Sequence, residues 1–139
     1  MPATTDALLK QLISGRNLNQ ILRDNADIFV EKTISEYLKM LCDERGIVPE
    51  RVIKRAQIDR TYGHQIFNGT RSPSRDKLIQ LAFGFELTLD EAQELLLIAG
   101  KGALYAGIKR DAVCIYGISH RMSVMELQEA LACHNLPLL

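Results

Sequence analysis

Arg60, Thr61, His64 and Gln65, with Tyr62 between them, crowd the start of the stretch RTYGHQIFNGTRSPS. Their side chains carry donors and acceptors of the kinds that read base edges in a major groove. Asn68-Gly69 signals a turn after them, since glycine takes positive φ freely. The loop TRSPS then projects Arg71 and Arg75 on the same flank. If a helix covers 60–67, Ile66 must face the core with Phe67 partly covered beside it. The polar side chains then fall on the opposite side.

The charge distribution agrees with a polyanion partner. The 139-residue chain has zero formal net charge, which alone suggests none. Between Arg51 and Lys77, however, seven basic residues (Arg51, Lys54, Arg55, Arg60, Arg71, Arg75, Lys77) stand against two acids, Asp59 and Asp76. A positive patch on a neutral or acidic body resembles a phosphate-backbone footprint. Chance clustering on a solvated surface is the plainer alternative.

Other chemistry has little support. AGKGA (99–103) lacks a Ser or Thr after Lys101 and the Walker spacing. Cys114, His120, Cys133 and His134 match no usual zinc spacing. No nucleophilic triad or carboxylate pair stands out, so the expectation is a protein without catalytic site, metal or cofactor. The three cysteines, an odd number without a C-x-x-C pair, suit a reduced, cytoplasmic setting as buried, inert thiols. No apolar run approaches the roughly 20 residues of a membrane helix, and the first residues do not read as a secretory signal.

The elements that must position these side chains read as almost entirely helical. Ile34, Leu38 and Leu41 recur at helical spacing, with Gly46 placed to stop that helix. Pro49 suits the first position of the next, and Val52, Ile53 and Ala56 form its apolar side. Asp59 caps the helix that follows. Ser74 caps a helix striped with Leu78, Leu81, Ala82 and Phe85. Thr88–Glu91 and Ser123–Glu126 form capping boxes for two more. Residues 110–118 read as a short helix, with a strand as the alternative because of Val113, Ile115 and Tyr116. Two short helices divided by Ser14-Gly15 come first, and Asn17 with Gln20 makes a weaker capping pair. The total is about eight helices, with Pro137 and the final leucines trailing off or docking loosely.

Residues from about 34 to 99 resemble the lambda-repressor-like (Cro-type, XRE) helix-turn-helix domain of bacterial and phage regulators. The likeness rests on AQIDRTYGHQIFNGTRSPSRDKLIQLAFGFELTLDEAQELL, above all on the Asn-Gly-x-Arg-x-Pro-Ser-x-x-x-Leu spacing. It implies an all-α, five-helix domain over 28–100, flanked by helical extensions at 1–27 and 101–139. It implies that Arg60, Thr61 and Gln65 point at base edges with His64 and Tyr62 beside them. It also implies that Asn68, through its backbone N–H, Arg71 and Arg75 hold the phosphate backbone.

Three departures from the family pattern stand out. Gln57 replaces the usual turn glycine. Gly63 replaces a larger apolar residue, which a tight approach between helices would explain. Pro49-Glu50 offers no phosphate donor where the family often has one, and Lys54 is the substitute. The function implied is a sequence-specific transcriptional regulator, a repressor binding double-stranded DNA as a homodimer on half-sites ~34 Å apart. The apolar surplus of 101–139 would complete the core or supply a dimer surface. The alternative is an antitoxin-like or adaptor module that keeps the helix pair as scaffold and binds a protein through its C-terminal helices.

Overall fold

A computed structural model describes residues 2–29 and 32–139. Among them the chain forms nine α-helices and no strand, and none of the helices is long and apolar enough to cross a membrane. The chain divides into two compact units, Met1–Glu31 and Lys32–Leu139. The division therefore falls later than residue 27, and none follows residue 100.

The first unit is a helical pair, α1 (Pro2–Ser14) and α2 (Leu18–Asp24). Asn17 caps α2 by accepting the Gln20 N–H at 3.1 Å. Asn25 is buried, and its amide donates to Gln11 Oε1 at 2.9 Å and to the Ile21 carbonyl at 2.7 Å. Leu9, Leu12, Ile13, Leu18 and Leu22 remain exposed.

The second unit contains α3 (Ile34–Arg45), α4 (Pro49–Ala56), α5 (Arg60–Phe67), α6 (Arg75–Gly84), α7 (Leu89–Ile98), α8 (Lys109–Ser119) and α9 (Val124–Cys133). Capping boxes start α3, α7 and α9; that of Thr33 and Glu36 joins the two expected. Each satisfies two backbone donors that a helix start would otherwise leave unpaired. Gly46 ends α3 in the left-handed region at φ 61°. Residues 110–118 are helical, which settles the strand alternative.

Leu38, Val52, Ala56, Ile66, Leu78, Leu81 and Leu95 are completely buried, and so are Leu127 and Leu131 of α9. Burying each leucine or isoleucine is worth about 1.5–3 kcal/mol relative to exposure. Residues 101–139 thus complete this core with Cys114, Ile118 and Val124 rather than forming a separate appendage.

Polar pairs fix α8 against α6. Arg75 on α6 forks onto Asp111 of α8, at 3.1 and 2.9 Å, while Arg110 of α8 forks onto Asp76 of α6, at 2.8 and 3.0 Å. Planar guanidinium groups suit such bidentate pairing. Arg110 also donates to the Pro137 and Leu138 carbonyls, so the tail is held rather than trailing. Two glutamines imitate strand pairing. Gln93 exchanges hydrogen bonds with the Leu104 backbone at 2.8 and 2.7 Å, and Gln128 does so with Leu139 at 3.1 and 2.9 Å.

Asp111 is only 3% exposed. Burial alone would raise its pKa, but hydrogen bonds from Arg75 and the Tyr105 N–H outweigh it and hold the carboxyl below its ordinary value. Its contribution is therefore full above the unfolded value of about 3.9 and is lost as pH falls through the lower folded-state value. Arg75→Ala should destabilise the chain by about 2–4 kcal/mol, because it leaves a buried carboxylate without its partner. Urea unfolding at neutral pH and well below pH ~3.9 checks both: the deficit should be large at neutral pH and shrink once the pH has fallen below the unfolded value.

Candidate nucleic-acid interface

The segment from α4 to α5 begins with an end that glycine would ordinarily make. Gln57 takes the left-handed conformation at φ 56°. Its N–H caps the Lys54 carbonyl at 3.1 Å, and the Ile58 N–H caps that of Ile53 at 3.2 Å. The Ala56 carbonyl accepts from the buried Gln80 amide at 3.0 Å. Ile58 turns into the core, and Asp59 caps α5 by accepting the Tyr62 N–H at 3.1 Å.

On α5, Gly63, Ile66 and Phe67 face inward. Phe67 is fully buried, more than the part coverage expected, and lies 6.3 Å from the Phe85 ring. Gly63 gives the close approach its sequence position suggested. A Cβ there would lie 2.5–2.9 Å from three carbons of the buried Ile53 side chain, closer than real side chains come.

The outward side carries two groups of polar residues. In the first, Arg60 is 76% exposed, and its Nε donates to Glu50 Oε1 at 2.7 Å. That hydrogen bond is the main reason the Glu50 carboxyl lies below its ordinary pKa. His64, half-buried, lines a cleft of about 460 Å³ with Lys39, Glu50 and Asn68. Thr61 is exposed.

The second group is built on the Tyr62 ring. The Arg71 guanidinium lies over it at 4.6 Å and the Lys77 ammonium at 5.7 Å. Cation–π attraction holds both charges on one small platform. Arg71 Nε also donates to Gln65 Oε1 at 3.1 Å, and its backbone N–H donates to the Gln65 carbonyl at 3.1 Å. Tyr62 and Gln65 therefore position Arg71. Lys77 belongs to this group too; the basic excess of its segment was the signal for it, although neither motif nor spacing assigned it a role.

Two of the expected phosphate-binding positions, Arg75 and Asn68, differ from the sequence reading. Arg75 is turned away: four of its five N–H groups are committed to Asp111 and the Gly102 and Ala103 carbonyls. It anchors α6 to α8 instead. Asn68 spends its backbone N–H on the His64 carbonyl at 3.0 Å, and its side-chain oxygen accepts the Thr70 N–H at 2.9 Å. Only its side-chain amide N–H groups remain to donate, and Gly69, at φ 83°, supplies the left-handed turn. Lys54 is exposed on the last turn of α4 and borders a different cleft, with Arg55, Glu86 and Arg121.

The other candidate chemistry is dispersed. Cys42 and Cys114 are buried, and burial pushes each thiol up to about 11, whereas Cys133 is exposed, contrary to the expectation that all three are buried. His120 stacks on Tyr116 at 3.9 Å. Among the described residues, no group of three or more His, Cys, Asp or Glu is arranged to hold a metal ion.

Adding a methyl at position 63 improves helix propensity by about 1 kcal/mol but overpacks a core site, which typically costs 1–3 kcal/mol. Ile53 is itself buried, so Gly63→Ala should destabilise the chain. Ile53→Ala makes room, and the double variant should be more stable than the sum of the two single losses implies. Unfolding free energies around that cycle measure the coupling; strict additivity would contradict the steric account.

Comparison of the chain with protein-family models, with curated proteins and with solved structures finds no match.

Proposed function

We propose that the chain is a sequence-specific regulator of transcription that inserts α5 into the major groove of duplex DNA. The observation that carries this reading is the outward polar side of α5: Arg60 and Thr61 are open to solvent, His64 and Gln65 half open, and the Arg71–Lys77 pair flanks them. Ile66 and Phe67 anchor the opposite side in the core, so the helix is held by one face and free on the other.

In this reading Arg60, Thr61 and Gln65 discriminate bases, with His64 and Tyr62 beside them. Arg71, Lys77, Lys54 and the Asn68 amide attract phosphate. A helix-turn-helix of the lambda-repressor-like kind is the architecture proposed for α3–α7, and the protein acts as a dimeric repressor. The dimer reading is supported by an open cleft of about 390 Å³ on α8 and α9, lined mainly by Val113, Tyr116, Met122 and Ala130. Tyr116 there is 57% exposed, a large aromatic surface for a helix to leave in water. That same cleft favours the second reading, an adaptor or antitoxin-like module. A monomeric mass by light scattering would count against the dimer, and co-purification of a stable foreign partner with only nonspecific DNA binding would favour the adaptor.

Selection from random duplexes should enrich one site. Arg60→Ala or Gln65→Ala should then relax preference at particular positions, each good bidentate contact being worth about 1–3 kcal/mol. Arg71→Ala should weaken all duplexes alike and lower the slope of log K against log salt by about 1. Failure to enrich any site removes the regulator reading. Glu50 competes with DNA for Arg60, so Glu50→Gln should tighten binding to the selected site; weaker binding would show that the pair orients Arg60 productively instead.

A further inference from the structure

A second cleft, of about 460 Å³, lies where the end of α4, the α6–α7 turn and the α8–α9 turn meet. Its apolar lining comes from Phe83, Leu87, Ile118, Met122 and Val124. Five charged side chains border it: Lys54, Arg55, Arg121, Glu86 and Glu126. Their partners are unequal. Arg55 pairs with Glu86 at 3.5 Å, and Glu126 accepts the Ser123 N–H at 2.9 Å within its capping box. The Lys54 and Arg121 side chains make no ion pair or hydrogen bond among the described residues. The two carboxylates are thus engaged while two cations are not.

The backbone around this cleft is also unusual. Four non-glycine residues of the described chain have positive φ, and three of them, Gln57, Glu86 and Arg121, line it. Each stands at or just past a helix C-terminus, where the left-handed conformation closes the last turn. Three helix ends therefore converge on the same cleft, each with a polar residue in its lining.

We infer that this cleft binds a small organic anion, a monocarboxylate with an apolar body, whose charge is taken by Lys54 and Arg121 and whose body lies against Phe83, Ile118 and Met122. The volume suits a ligand of modest size, and a pocket with an apolar lining and few polar groups fixes both body and orientation. Lys54 gives the site a consequence that rests on the DNA reading. An ammonium held by a bound carboxylate is withdrawn from phosphate, so ligand weakens DNA binding. The anion acts as an inducer.

The test uses the full nitrogen-15-labelled chain, with phenylbutyrate as the probe and its neutral amide as the control. Phenylbutyrate should shift the backbone amides of Gln57, Glu86, Arg121 and Ser123 saturably, and the amide control should bind about tenfold more weakly. Arg121→Gly removes the guanidinium while suiting the left-handed backbone, so it should fold and yet lose about fivefold or more in affinity. Equal affinity for acid and amide, shifts centred on residues 60–71, or an unaffected Arg121→Gly variant would each overturn the site. With a selected duplex, phenylbutyrate near its wild-type Kd should weaken DNA binding by the wild-type chain clearly more than by Arg121→Gly, whose dose-response should shift to about fivefold or more higher probe concentration. If the probe binds in the cleft but DNA affinity does not move, the coupling is overturned. If no duplex binds at all, the regulator reading fails while the cleft titration still decides the ligand site.

Discussion

The closeness of α4 to its two neighbours is the constraint from which the rest follows. Gly63 lets α5 lie directly against Ile53, and Gly84 lets α6 lie against the same helix from the other side, where a Cβ would stand 2.6 Å from the Val52 carbonyl. The contact at Gly84 is with backbone and that at Gly63 with a buried side chain, and interiors packed at crystal-like density resist added atoms. With α4 confined between them, the direction of α5 is set by packing rather than by its own short hydrogen-bond ladder. A helix of eight residues would be marginal alone. Its polar side is presented because its apolar side has no alternative place.

The crossed Arg–Asp pairs carry that rigidity into the C-terminal helices. Each step on α6 and α8 offers one guanidinium and one carboxylate, and the two steps satisfy each other. Both arginines are held charged, above their ordinary values, chiefly by the hydrogen bonds they donate to their partner carboxylates, against burial. The result is one packed body from α3 to α9, in which a ligand between α4 and the α8–α9 turn meets fixed walls.

Much of this was legible in the sequence because it is local. Capping boxes, the proline at the start of α4, the Asp59 cap and the inward Ile66 all follow from residue type and short spacing. Gly63 was legible as an anomaly, and the tight helix contact that explains it is present. What could not be read depends on partners far along the chain. Counted in sequence, Arg55, Arg60 and Arg75 join a basic patch; in space they meet Glu86, Glu50 and Asp111. Arg75 thereby leaves the candidate interface altogether, and Lys77 enters it through the Tyr62 ring. The exposure of Cys133 is another case, since a small, weakly polar residue at a helix end fits either side.

The pairing of Ile53 with Gly63 also bears on how such a chain changes over generations. The two positions share one volume, so neither drifts independently. A bulkier residue at 63 becomes admissible only after 53 has shrunk, and the route between the two arrangements passes through an intermediate with a void in its core. Substitutions on the outward side of α5 meet no such barrier, which leaves its polar vocabulary free to diversify on a frame that resists revision.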